Sequence, residues 1–134
     1  MARGPAGEGV SAMKIISFGK TTPALLAGRK TVTRREWNPK HAASFSAGEL
    51  VQAWNQSPRV KGSRRVGTIR LTEKPYRAST LLIPPDDWEA EGFGYMTLHR
   101  IEIDGGTPLA LWEAWHERSV MLWVVRFELV EVLS

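Results

Sequence analysis

Gly28 to Arg35 reads GRKTVTRR, in which four cations (Arg29, Lys30, Arg34 and Arg35) surround two hydroxyls, Thr31 and Thr33. Two chemistries suit this set. Clustered cations hold a polyanion, and a hydroxyl beside an amine can attack an electrophile once a base takes its proton. A lysine serves as that base only when burial or nearby cations lower its pKa, and Arg29, Arg34 and Arg35 would supply such a field. In a regular strand Arg34 and Arg35 point to opposite faces, so only one lines a cleft. Arg34 is the choice for contacting a phosphate or a carbonyl, and Arg35 the choice for a solvated edge.

A second basic cluster, Arg59, Lys61, Arg64 and Arg65, falls in a loop-like segment marked by Pro58 and Gly62. Phosphate contact is one use for it, giving affinity without sequence reading; a solvated loop that aids solubility is the other. Trp37 and Trp54 lie near the basic motifs and offer rings for nucleobase stacking, worth on the order of 1–3 kcal/mol per base. Phe93 and Tyr95, in the glycine-rich run GFGY, offer a second wall that Gly92 and Gly94 would let move. Trp112, Trp115 and Trp123 read as core residues from their periodic placement. His41, His99 and His116 are scattered without ligand spacing, so neither a metal nor a cofactor is expected.

These residues need elements to hold them. Lys14 to Phe18 (KIISF) predicts a short strand. Thr21 or Thr22 as N-cap and Pro23 in the first turn predict a short helix that stops at Gly28. The chain then extends through Thr31-Val32-Thr33. Residues 38–48 read as loop, Glu49 to Trp54 as a strand, Arg65 to Thr72 as a well-alternating strand and Tyr76 to Ile83 as a weaker one. Pro84-Pro85-Asp86-Asp87 opens a helix through about Glu91, with acidic residues at its positive end. Residues 97–104 read as an irregular excursion. Thr107 and Pro108 start another helix, with Leu109, Trp112 and His116 on one face and Leu111 and Trp115 widening the stripe. Met121 to Leu133 is a long strand. The sum is an α+β fold, a small mixed β-barrel with two or three short peripheral helices.

Length and composition set the frame. A chain of 134 residues holds one domain with a real core. Residues 1–12 read as a disordered leader, with Met13 as an alternative start, and 13–134 as the domain. Six tryptophans supply burial area. The absence of cysteine excludes disulfides, thiolate zinc sites and cysteine nucleophiles. No apolar run nears the roughly 20 residues of a membrane span, and the start lacks a signal-peptide core, so the cytoplasm is expected. Residues 1–85 carry fifteen Lys/Arg against four Glu, a balance of +11. Residues 86–134 carry three Arg against ten Asp/Glu, a balance of −7. That split points to a polyanion such as nucleic acid, or to two halves that pack and neutralise each other.

Taken in order, GRKTVTRR after a short helix, Gly48 with its strand to Trp54, GTIRLT, and EGF at 91–93 resemble the ASCH domain. That family is named for a homology region in a transcription coactivator and is related in fold to the PUA RNA-binding domain. The resemblance spans residues 14–132 and implies a β-barrel with helices around a cleft that takes RNA or a nucleoside-like ligand. Some small bacterial members are amidohydrolases that deacetylate N4-acetylcytidine. The resemblance implies Lys30 as base, Thr33 as nucleophile and Glu91 as proton donor, with Glu89 an alternative two residues away. This chain departs from those members in its length, in the Arg34-Arg35 pair and in the basic loop at 59–65, which favour a larger, more anionic partner. Three functions stay open: an amidohydrolase on acylated cytidine, a non-catalytic RNA-binding module, and a protein-interaction adaptor. Lys30 with Glu91 as a structural ion pair, and Thr33 as a plain strand residue, is the alternative to catalysis.

Overall fold

The computed structural model describes residues 13–133; the leader expectation for 1–12 lies outside them. Six strands form among the described residues: β1 (Ile15–Ser17), β2 (Val32–Arg35), β3 (Leu50–Trp54), β4 (Arg65–Leu71), β5 (Tyr76–Ser79) and β6 (Met121–Val132). Five short helices accompany them: α1 (Thr22–Leu26), α2 (Pro39–Ala43), α3 (Asp87–Ala90), α4 (Phe93–Leu98) and α5 (Pro108–Glu117).

The long β6 is the spine of a mixed sheet with strand order β1-β3-β4-β6-β2. Its second half pairs with β4, and its first half pairs with β5 and with β2. β1 runs parallel to β3; every other pairing is antiparallel. The sheet curls into a half-barrel, and the two ends of its strand path, β1 and β2, are joined by a side chain instead of a ladder. Arg35 Nη2 donates to the Ser17 carbonyl at 2.7 Å, and its guanidinium lies over the Phe18 ring.

Two apolar clusters hold the fold. Ile16, Phe18, Val51, Ile69, Leu71, Val125 and Phe127 fill the curl, closed by Leu25 and Phe45. Ala24, Phe93 and Met96 form the second, roofed by Trp88, Leu111, Trp112 and Trp115. Each fully buried large side chain is worth about 1.5–3 kcal/mol relative to exposure, so both clusters are substantial for a small domain. No helix among the described residues is long and apolar enough to cross a membrane.

The helix count exceeds the sequence expectation by α2 and α4. Asn38 Oδ1 accepts from the His41 backbone amide at 2.8 Å, which caps a turn in the segment read as loop. Gly92 adopts φ 84°, ending α3 and turning the chain directly into α4, so GFGY is helical and not a mobile turn. The apolar stripe of α5 is also rotated from the expected one. Leu109 is 50% exposed and His116 is exposed, while Pro108 is buried and Leu111, Trp112 and Trp115 pack inward. The packing of α5 onto Trp88 and Phe93 sets that face. β5 stops at Ser79, where the Ser79 hydroxyl accepts from the Leu81 amide and opens a 3₁₀ turn over Thr80–Leu82.

Candidate functional site

The loop from α1 to β2 is fixed at three points. Gly28 takes φ 74° at the end of α1, and the amides of Arg29 and Lys30 return to the Ala24 carbonyl. The Thr31 amide then donates to the Ala90 carbonyl at 2.7 Å, tying this loop to the end of α3. Lys30 is thereby driven into the interior, where it is only 2% exposed. Its Nζ donates to Glu91 Oε1 at 2.9 Å and to the Glu91 carbonyl at 3.0 Å.

From that pair a chain of charge runs outward. Glu91 Oε2 accepts from Arg34 Nη1 at 2.6 Å, and Arg34 Nη2 donates to Asp87 Oδ2 at 2.6 Å. Arg126 of β6 donates to both Asp87 oxygens, at 3.0 and 2.9 Å, and its Nε donates to the Tyr76 hydroxyl at 3.1 Å. Every buried side-chain nitrogen and oxygen among the described residues has a partner. The basic and acidic halves of the sequence meet here and neutralise one another.

Beside this network opens a cleft of about 380 Å³ between the two apolar clusters. Lys30, Thr33, Arg34, Arg35 and Glu91 line its polar side. Phe18, Phe93, Ile103, Leu111 and Trp115 line the apolar side, and Lys20 and Asp104 stand among its lining residues. Thr33 Oγ1 accepts from Arg35 Nε at 3.2 Å, which leaves the hydroxyl proton free to be given elsewhere. Burial pushes the Lys30 ammonium below its usual 10.5 although Glu91 pulls the other way, and Arg35 and Arg34 add to the lowering. Burial also brings Arg35 down to about 10, against the pull of Glu91. Burial favours the neutral form of Asp87, but hydrogen bonds from Arg126 and Arg34 outweigh it and hold the group below its usual value. The Asp87 hydrogen bond raises Arg126.

The sequence candidates divide sharply. Lys30, Thr33 and Glu91 share the cleft with Arg34, Arg35 and Phe93. Glu89 is at the surface, 3.7 Å from Arg29, so both belong outside the cleft. Arg35 is not a solvated edge residue, because the curl of the sheet folds it over the seam onto Ser17 and Thr33. Arg34 lies in the cleft wall but spends its guanidinium on two carboxylates. Trp37 is stacked on Phe45, with ring centroids 4.7 Å apart, and Trp54 donates to Gln52; neither lines the cleft. Tyr95 turns away onto His99. Arg59, Lys61 and Arg64 are exposed on the β3–β4 hairpin, whereas Arg65 is committed to Gly67 and Thr68.

Sequence reasoning missed four contributors. Phe18 was hidden in a strand-like run, and Trp115 was assigned wholly to the core. Asp87 reads from sequence as a helix-dipole match, and Arg126 only as part of the long strand from Met121 to Leu133. A buried-type position occupied by arginine in an apolar strand was the available signal for Arg126. Among the described residues no group of three or more His, Asp or Glu is arranged to hold a metal.

Fold and site together define a half-barrel α+β protein with a charged cleft at the sheet seam. No family model matches the chain, and no curated protein matches it. Among solved structures it is similar to the crystal structure of the protein EF3133 from Enterococcus faecalis, of the family DUF984. The TM-score is 0.56 at 14% sequence identity, covering 91% of this chain and 82% of that one. At that identity the likeness establishes the fold alone, a curled half-barrel.

Proposed function

We propose that the cleft hydrolyses an acyl-amide carried by a cytidine-like base, in the manner that the ASCH resemblance implies. The observation that carries this reading is the convergence on one cleft of about 380 Å³ of Lys30 from the loop into β2, Thr33 from β2 and Glu91 from the end of α3. A cavity of that size takes a nucleoside-sized group. Phe18 and Trp115 offer apolar surface for its ring.

In the proposed cycle, Lys30 in its neutral form takes the proton of Thr33, and Oγ1 attacks the acyl carbon. The tetrahedral adduct collapses, the C–N bond breaks, and the departing amine receives a proton from Lys30. Water then adds to the acyl-threonine ester, with Lys30 again as base, and releases the free acid. Arg35, donating to Oγ1, stabilises charge that develops on that oxygen. Both oxygens of Glu91 accept from cations, Lys30 and Arg34, so neither stands ready to donate. Its contribution is to hold Lys30 in place through the 2.9 Å bond.

The test is release of cytidine from N4-acetylcytidine, followed by chromatography. Activity that disappears in Thr33→Ala and Lys30→Met supports the reading; no turnover at high protein concentration over a long incubation overturns it.

A further inference from the structure

The cations of the β3–β4 hairpin take no part in the cleft chemistry, yet the topology sends them off the same end of the sheet as one wall of the cleft. β1 and β3 run parallel with Ser17 beside Trp54, and the Phe18 amide donates to the Trp54 carbonyl at 2.9 Å. Both strands therefore leave the sheet at the same end. β1 passes into the Gly19–Thr21 turn, whose three residues line the cleft. β3 passes into the hairpin loop, pinned at its base where the Asn55 amide donates to the Arg64 carbonyl and the Arg64 amide donates to Asn55 Oδ1. Lys20, Arg59, Lys61 and Arg64 are all exposed, and among the described residues none of them forms an ion pair.

Solvated cations on that side of a base-sized cleft serve binding when the ligand brings negative charge there. A free nucleoside brings none. A nucleotide within a strand brings a phosphodiester on either side of its base. The cleft opens to solvent and is walled by Phe18 and Trp115, so it receives a base that has left its stack, which a single strand allows at least cost. Resting on the nucleobase reading of the cleft, we propose that the substrate is a single-stranded polynucleotide. Its modified base enters the cleft while neighbouring phosphates lie on Lys20, Arg59, Lys61 and Arg64.

The test uses the full chain and its Arg59→Gln/Lys61→Gln/Arg64→Gln variant, in which bulk is kept and charge removed. Two substrates are compared, N4-acetylcytidine and a short oligoribonucleotide carrying one such base, and binding of the unmodified oligomer is followed by fluorescence anisotropy across a salt series. Four phosphate contacts give a slope of about −3 in log K against log salt, and losing three of them flattens it by about 2. The ratio of kcat/KM for oligomer over nucleoside is expected to fall at least about tenfold in the triple variant, as affinity built on phosphate contacts is lost. If both substrates are inert but the slope and its flattening are observed, the deacylation reading fails and the phosphate surface stands. If neither the ratio nor the salt slope changes in the triple variant, the phosphate surface is overturned, whatever the nucleoside shows.

Discussion

Glu91 receives two hydrogen bonds from Lys30, one on Oε1 at 2.9 Å and one on its own carbonyl at 3.0 Å, with both side chains almost wholly out of solvent. Two opposite charges in such a place stand or fall together. Removing Glu91 leaves Lys30 buried without compensation, at a cost of about 3–5 kcal/mol, whereas removing Lys30 leaves Glu91 its bond from Arg34, and replacing both with apolar groups also costs less. Glu91→Ala is therefore expected to lower the urea unfolding free energy by about that amount, and Lys30→Met by less. The double change Lys30→Met/Glu91→Leu is expected to cost clearly less than the sum of the single ones. Simple additivity would show that the two side chains do not interact.

The acid limb of stability belongs to Asp87. Its folded pKa lies below 3.8, because the hydrogen bonds from Arg126 and Arg34 outweigh the effect of burial. A lowered acid contributes stability that is complete above its unfolded value and is lost as pH falls through its folded value. Asp87→Asn is thus expected to destabilise the protein by about 3 kcal/mol near neutrality. The gap between wild type and variant should close below pH 3.8. Lys30 works in the same sense at the alkaline end, since its folded value also lies below its usual one, 10.5. Between those two values the unfolded chain binds the extra proton, so stability rises with pH there, and Lys30→Met should remove that rise. A gap for Asp87→Asn that is constant down to strong acid would exclude the assignment.

Much of this site was legible in the sequence because its parts are local. GRKTVTRR holds Lys30 and Thr33 three residues apart, and glycine, proline and capping signals around it place a helix before and a strand after. The curled α+β sheet followed from strands outnumbering helices. What was not legible depends on contacts distant in sequence. The fate of Arg35 is decided by the seam with Ser17, eighteen residues earlier, and that seam exists only once the sheet curls. The rotation of α5 is decided by Trp88 and Phe93, which no periodicity within α5 can reveal. Asp87 and Arg126 lie 39 positions apart, so neither looked like half of a pair.

Gly92 couples α3 and α4 to Lys30. It has φ 84°, and a Cβ there would stand 2.6 Å from Ala24 Cβ and 3.2 Å from Lys30 Cβ. Backbone strain in this region costs of order 1–3 kcal/mol for a residue other than glycine, before the clash is counted. Gly92→Ala is expected to lower Tm and, by displacing Lys30, to reduce turnover at temperatures where the variant remains folded. The control is Gly105→Ala, with a similar φ of 81° but open space around its Cβ. That change should strain the backbone without touching turnover. Equal effects of the two on turnover would separate Gly92 from the site.

Thr33 offers the most direct test of covalent chemistry. Its hydroxyl is buried at the cleft wall with Arg35 Nε as its donor, so Thr33→Val removes the hydroxyl while keeping the shape, and Thr33→Ser keeps it. Under the proposed cycle, acid-quenched wild-type protein with an N4-acylated cytidine should carry one acyl group on the peptide containing Thr33, seen by mass spectrometry. Thr33→Val should carry none, and Thr33→Ser should carry it with altered decay. The base leaves its own mark on the pH profile. A lysine acts only when neutral, so kcat/KM should rise with pH on a limb whose midpoint lies below the 10.5 of a free lysine. Lys30→Arg keeps the positive charge beside Glu91 but offers no neutral base, and is expected to lose that limb together with about 10²–10⁴ of the rate. An unchanged rate in Thr33→Val with the limb intact would mean that Lys30 activates water directly and that threonine only lines the cleft.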